Sequence, residues 1–123
     1  MKDRIFPCPC CGYLVFPNPP GSYDICPVCG WEDDLSQLRF PLTDGGANAD
    51  SLLEAQQIYL AREVRNEEYV REEGWRPLDP ARDNLEIPVD GIDYGKSYPE
   101  DSCRLYYWRP SYWRASTDPE SLS

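Results

Sequence analysis

Four cysteines set in two matching frames are where this chain can do chemistry. Residues 8 to 13 read Cys8-Pro9-Cys10-Cys11-Gly12-Tyr13, and residues 26 to 31 read Cys26-Pro27-Val28-Cys29-Gly30-Trp31. Both follow the frame Cys-Pro-x-Cys-Gly-aromatic, with residues 12 to 25 between the inner cysteines. Two C-x-x-C pairs deliver four thiolates to one tetrahedral divalent cation, most often zinc. Two intervening residues let the chain wrap until both sulfurs of a pair face one point, and the following glycine supplies the positive φ that closes the turn. Cys8, Cys11, Cys26 and Cys29 are therefore the expected ligands of one structural Zn²⁺. The chain has no histidine, so the set is closed, whereas a catalytic zinc keeps a position open to water. The same absence removes the commonest general base and every Ser-His or Cys-His nucleophile. An enzyme is not expected.

Two cysteines remain. Cys10 stands at the frame position that Val28 fills in the second knuckle. It reads either as a small apolar filler or as a thiol beside the metal, reactive or held as a spare ligand. Cys103 lies far off and reads as an ordinary half-buried cysteine. Six cysteines also suit a secreted disulfide scaffold, but the start Met1-Lys2-Asp3-Arg4-Ile5-Phe6-Pro7 carries no apolar signal run. The expected compartment is the cytoplasm, where C-x-x-C pairs stay reduced and bind metal.

Composition explains why a metal staple is needed. At 123 residues, with 13 prolines and only 3 phenylalanines and a mean hydropathy of -0.66, the chain has little for a large apolar core. Its aromatic supply is 9 tyrosines and 4 tryptophans, which bury area while keeping a polar handle. Net charge is -10, and four thiolates around one dication add about two further negative charges. Such a chain is repelled by nucleic-acid phosphates and by anionic membrane surfaces. Nucleic acid and membrane are thus disfavoured as partners, and a basic protein is favoured. No stretch is long enough to span a membrane.

The elements that must position the knuckles follow the zinc-ribbon order. Arg4-Ile5-Phe6 enters the first knuckle as a short strand, and Tyr13-Leu14-Val15-Phe16 leaves it. Pro17 to Ser22 turns, and Tyr23-Asp24-Ile25 returns to the second knuckle. Gly45 to Asp50 reads as a flexible hinge into one amphipathic helix. Ser51 and Glu54 form a capping box there, and the helix is expected to run to about Glu72, with Gly74 as its C-cap. Leu53, Leu60 and Val64, flanked by Leu52, Ala55 and Tyr59, form its core stripe, and Glu67 with Arg71 an outer i,i+4 pair. Residues 76 to 102 read as a long Pro/Asp/Gly loop. The β-formers from Cys103 to Arg109 predict an aromatic strand ending before Pro110. The expected fold class is small α+β: a ribbon over 1–40, then helix, loop and C-terminal strand packed on it over 41–114, and a loose tail over 115–123.

Two stretches outside the knuckles are candidates for contact. Trp31-Glu32-Asp33-Asp34 offers a tryptophan over the metal site and three carboxylates. Those carboxylates suit a basic-partner contact, a second hard-metal site or a solvated acidic loop. Trp108, Arg109 and Trp113 belong to an aromatic-arginine run that suits base stacking, a protein hot spot or a core strand with cation–π pairs. The charge favours protein contact.

Together these residues resemble the bacterial cysteine-rich CPCC family. The likeness rests on Cys8 to Tyr13, on Pro20 to Asp34, and on Gly46-Ala47-Asn48 followed by Ser51-Leu52-x-Glu54-Ala55, and it weakens after Glu73. It implies a small zinc-binding protein with no catalytic residues. Small acidic bacterial proteins of this kind are often partners of toxins, which makes an immunity or antitoxin-like role an expectation. The functions in view are accordingly a binding protein for a basic partner such as a toxin, a thiol or redox-active zinc protein using Cys10, and a nucleic-acid-binding ribbon.

Overall fold

The computed structural model describes residues 5–62, 66–83, 85–87 and 98–114. The fold is small α+β, with strands β1 (Phe6–Pro7) and β2 (Leu14–Phe16), helices α1 (Leu35–Arg39) and α2 (Leu52–Arg62), and a 3-10 helix over Ser102–Leu105. The strands flank the first knuckle as expected and pair antiparallel, Phe6 opposite Phe16 and Pro7 opposite Leu14, with a bulge-like irregularity between Phe6 and Pro7. Strands of two and three residues cannot stand alone. They are supported by residues 70–72, which run beside the knuckle through Leu14 N–H to Val70 C=O at 2.8 Å and Glu72 N–H to Gly12 C=O at 2.7 Å. The return arm of the second knuckle is tied by an isolated bridge between Ile25 and Glu32. Among the described residues no helix is long and apolar enough to cross a membrane.

One buried cluster joins the knuckle cysteines to Phe6, Phe16, Leu52, Tyr59, Leu105, Tyr106 and Trp113. At its centre lies a polar side chain. Gln56 is 1% exposed; its Nε2 donates to Pro9 C=O at 2.9 Å and to Tyr107 Oη at 2.8 Å, and its Oε1 accepts from Leu78 N–H at 2.8 Å. It stitches the first knuckle to α2, to the loop after Trp75 and to the aromatic segment.

Helix α2 begins where the capping box places it. Ser51 N–H donates to Glu54 Oε1 at 2.9 Å, and Glu54 N–H to Ser51 Oγ at 3.1 Å. Its far end and its core face differ from the sequence reading. By Asn66 the chain has left the helix, because Asn66 Oδ1 accepts from the N–H groups of Glu68 and Tyr69 and so offers the backbone a turn in place of helix. The Glu67–Arg71 helical pair is therefore not made. Gly74, at φ 91, closes a turn in which Trp75 N–H donates to Glu72 C=O, and caps no helix. The buried face is Leu52, Gln56 and Tyr59. Leu53 is only half-buried, Leu60 is 36% exposed, and Val64 lies outside the described residues, as does the tail at 115–123.

The expected C-terminal strand is replaced by turns. Asp101 caps the 3-10 helix by accepting from Cys103 N–H at 3.0 Å, and Tyr106, Arg109 and Tyr112 each donate three residues back. A strand would send Tyr106 and Tyr107 to opposite faces. The turns bury both, at 1% and 4% exposure, together with Trp113. β-Propensity here reflects the rings' need for burial, which turns satisfy equally well. Cys103 is half-buried, as its sequence context suggests.

Gln56→Ala strands the buried Leu78 N–H, while Pro9 C=O keeps Trp75 Nε1 as a donor and Tyr107 Oη still donates to Arg76 C=O. At about 1–3 kcal/mol for a stranded buried group, denaturant titration of the metal-loaded protein should show a loss of about 1–3 kcal/mol. The exposed neighbour Gln57→Ala should stay within about 0.5 kcal/mol of the parent.

Candidate metal centre

Each knuckle is built by the same two hydrogen bonds. In the first, Cys8 N–H donates to Tyr13 C=O at 2.9 Å and Gly12 N–H to Cys8 C=O at 2.7 Å. In the second, Cys26 N–H donates to Trp31 C=O at 2.8 Å and Gly30 N–H to Cys26 C=O at 3.0 Å. Gly12 and Gly30 sit at φ 82 and 85, the left-handed region that a side chain disfavours. In the second knuckle Val28 N–H also points at Cys26 Sγ, 3.3 Å away.

These turns bring Cys8, Cys11, Cys26 and Cys29 together, with their sulfurs all within 4.8 Å of one another. Cys8 and Cys29 sulfurs stand 3.6 Å apart, and Cys11 and Cys26 sulfurs 3.7 Å apart. A regular tetrahedron of Zn–S bonds near 2.3 Å has edges of about 3.8 Å. The donor set and its spacing fit a divalent metal ion held by four sulfurs. Cys8 and Cys11 are fully buried, Cys26 is 2% exposed, and Cys29 is half-buried. Burial pushes the Cys8 thiol well above its ordinary range. Hydrogen bonds pull Cys29 and Cys26 down, chiefly from Cys10 to Cys29 and from Cys11 to Cys26. The bond to Cys29 likewise raises Cys10. A cation bound by the four sulfurs would displace the protons they carry.

The carboxylates after the second knuckle prove structural. Asp33 and Asp34 are 2% and 4% exposed, too enclosed to meet a partner or to form a solvated acidic loop. Asp33 Oδ2 accepts from Ser22 Oγ at 2.7 Å and Ser22 N–H at 3.2 Å; burial nonetheless raises its pKa. Asp34 caps α1, accepting at Oδ1 from Ser36 N–H and Oγ, while its Oδ2 accepts from Ala47 N–H at 2.8 Å. Burial alone would raise Asp34, but these bonds outweigh it and hold the carboxyl below the usual range.

The loop that reads as a hinge is pinned by the same residues. A Cβ on Gly46 would lie 2.6 Å from Asp34 Oδ2, so only glycine fits. Asn48 Oδ1 accepts from Glu32 N–H, and its Nδ2 donates to Glu32 C=O and to Gln37 Oε1. Gln37, with no exposed surface, donates to Thr43, Asn48 and Asp50 carbonyls. Gln37 and Gln56 were not legible as key residues, because a polar residue on a short or amphipathic helix reads as surface.

Of the other contact candidates, Trp31 and Trp113 are also buried, at 3% and 5%, and present no partner surface. Trp31 packs behind the second knuckle, and its Nε1 is the one buried side-chain nitrogen or oxygen among the described residues without a hydrogen-bond partner. Glu32 is half-buried. Trp108 and Arg109 are half-buried and converge on Glu72: Trp108 Nε1 donates to its Oε2 at 2.6 Å, and Arg109 Nη2 to its Oε1 at 2.5 Å. Arg109 also lies over the Tyr106 ring at 4.6 Å, and Arg39 over Trp113 at 5.0 Å. The aromatic-arginine run is thus an interior cation–π network, though not a strand.

The family model described as cysteine-rich CPCC matches residues 6–80. A comparison with curated proteins finds no match.

The two glycines separate local strain from packing. A Cβ on Gly12 would fall 2.5 Å from Trp75 Cδ2, whereas one on Gly30 would meet nothing within 4 Å. Both Gly→Ala changes carry the left-handed penalty of about 1–2 kcal/mol. Gly12→Ala must also displace the Trp75 ring, whose Nε1 donates to Pro9 C=O. Thermal melts of the metal-loaded variants should show the larger loss for Gly12→Ala.

Proposed function

The chain belongs to the cysteine-rich CPCC family, and on that premise we propose that it is a zinc-stapled acidic binding protein whose partner is a basic protein. The observation that carries the metal half is the closed set of four sulfurs, all within 4.8 Å. Sulfur-only tetrahedral sites of this size suit zinc in its structural role. Nothing in the set keeps a coordination position open, and the chain holds no histidine; an enzyme is accordingly the less favoured reading.

The binding half rests on charge. A net charge of -10 favours a basic partner, as an immunity protein or antitoxin has when it occupies the cationic face of a toxin. With Asp33 and Asp34 inside the fold, the acidic surface is instead supplied by exposed residues such as Asp44, Asp50, Glu54, Glu68 and Glu73. The same charge disfavours nucleic acid, and three of the rings that base stacking needs are buried. Reduced thiols suit a cytoplasmic setting.

Elemental analysis should find one zinc per chain, and chelation should unfold the N-terminal half, since such sites couple about 10–16 kcal/mol of metal binding to folding. Affinity purification from the native host should return a basic protein at equal stoichiometry. Absence of metal overturns the centre; one zinc with no stoichiometric partner overturns the binding role alone. No binding to single- or double-stranded nucleic acid is expected at low salt.

A further inference from the structure

The second knuckle stands at the end of a hairpin whose two edges differ. Cys26 N–H donates to Trp31 C=O at 2.8 Å and Asp33 N–H to Asp24 C=O at 2.9 Å, with Ile25 and Glu32 facing each other between them. In such an antiparallel pair the two facing residues turn their own N–H and C=O outward, away from each other. On the Glu32 edge both groups are satisfied, because Asn48 Oδ1 accepts from Glu32 N–H at 2.9 Å and Asn48 Nδ2 donates to Glu32 C=O at 2.8 Å. On the Ile25 edge neither group has a hydrogen-bond partner among the described residues. Pro27, which lacks an N–H, ends that edge on the knuckle side. The gap is therefore short, suited to one specific contact rather than to indiscriminate strand pairing.

The side chains at this open edge are exposed and apolar: Tyr23 is 57% and Ile25 65% exposed. Tyr23 is also the one non-glycine residue at positive φ among the described residues, at φ 62. That conformation is costly for a residue with a side chain, and here burial of the ring does not offset it. Strain kept at an exposed residue points to use rather than to packing. The charge along this stretch is of one sign. From Ile5 to Leu38 the chain carries Asp24, Glu32, Asp33 and Asp34 and no lysine or arginine, and neither Asp24 nor Glu32 is ion-paired among the described residues. We propose that the edge at Tyr23 to Ile25 is a docking site that takes an extended segment of a basic protein as an added strand. The segment's backbone pairs with Ile25 N–H and C=O, its apolar side chains meet Tyr23 and Ile25, and its lysines or arginines meet Asp24 and Glu32. This rests on the reading of the protein as a binder of basic partners. A second copy of this chain is the poorer occupant, because it brings its own net charge of -10 to the same edge.

Amide hydrogen exchange of the metal-loaded protein, followed by NMR with short synthetic peptides, tests this. A peptide alternating lysine with valine should slow exchange at Ile25 several-fold at saturation. It should leave Glu32 N–H, already bonded to Asn48, unchanged. Tyr23→Gly should melt no lower than the parent, since glycine accepts the positive φ, yet bind the peptide about ten-fold more weakly, the scale of one interface anchor. Val70→Ser, which removes a side chain of 72% exposure beside the first knuckle, should bind as the parent does. Absence of binding, binding that does not slow Ile25, or equal binding by Tyr23→Gly overturns the edge, while the basic-partner reading still stands or falls on the affinity purification. Equal protection by a threonine–valine peptide shows that charge plays no part, and overturns the reading on which the proposal rests. Protection of Ile25 that grows with protein concentration in the absence of peptide makes a second copy the occupant, and overturns the proposal.

Discussion

Four sulfurs crowded into one buried point are the constraint on which the rest of this molecule depends. As thiolates they repel one another, and as thiols they make weak hydrogen bonds in place of an apolar core. A dication at their centre would turn that repulsion into attraction and tie together two turns separated by a Pro/Gly-rich arm. Little else in the N-terminal half could do so. Its strands have two and three residues, and an isolated hairpin of that length is marginal in water. The knuckle hydrogen bonds shape each pair of cysteines, and the shared centre joins one pair to the other.

Around this centre the chain economises on apolar residues by using amides and arginines as internal connectors. Gln56 links the first knuckle to three other segments, and Gln37 fixes the loop 43–50 against α1. Arg71 serves the back of the first knuckle: its Nε donates to Cys11 C=O at 2.8 Å, and its guanidinium covers the rings of Tyr13 at 4.6 Å and Trp75 at 5.0 Å. A cation so placed would offset part of the charge that four thiolates around a bound dication leave. Fully paired polar groups of this kind specify one arrangement where a small apolar core would permit several.

What the sequence revealed and what it concealed follow from the range of the interactions concerned. The metal-binding set was legible because its signal is local: two residues between sulfurs, then a glycine and an aromatic. The capping box of Ser51 and Glu54 was legible for the same reason. The end of α2 was not, because Asn66 competes with the helix through a side-chain turn that helical periodicity does not register. The helix face was misread by one position because its central residue is a glutamine, which apolar patterning counts as surface. The aromatic segment looked like a strand because burial and β-propensity draw on the same residues, and among the described residues no strand lies beside it to pair with. Asp33 and Asp34 looked like a surface patch; Asp34 caps α1 through the nearby Ser36, but the partners that enclose both carboxylates, Ser22 and Ala47, are distant enough in sequence that only the fold could pair them.

The two knuckles share a frame and a backbone hydrogen-bond pattern, yet the fold treats them differently. The first is wedged among α2, Trp75 and the segment 70–72, which leaves Cys8 and Cys11 without exposed surface. The second is held through Asn48, whose side chain bonds both the N–H and the C=O of Glu32, and keeps its outer cysteine at the rim of a groove. The same frame therefore leaves three sulfurs sealed and one, that of Cys29, half-buried. The acidic side chains divide in a similar way. Those nearest the centre are consumed by capping and turn formation, so the field that reaches beyond the molecule comes from dispersed exposed carboxylates. A field of that kind acts over about a Debye length, roughly 8–10 Å at physiological salt, and raises the rate at which a basic surface arrives. It does not select one contact over another. Specific recognition of such a partner must come from shape at a particular surface, while the charge decides only which class of protein is drawn near.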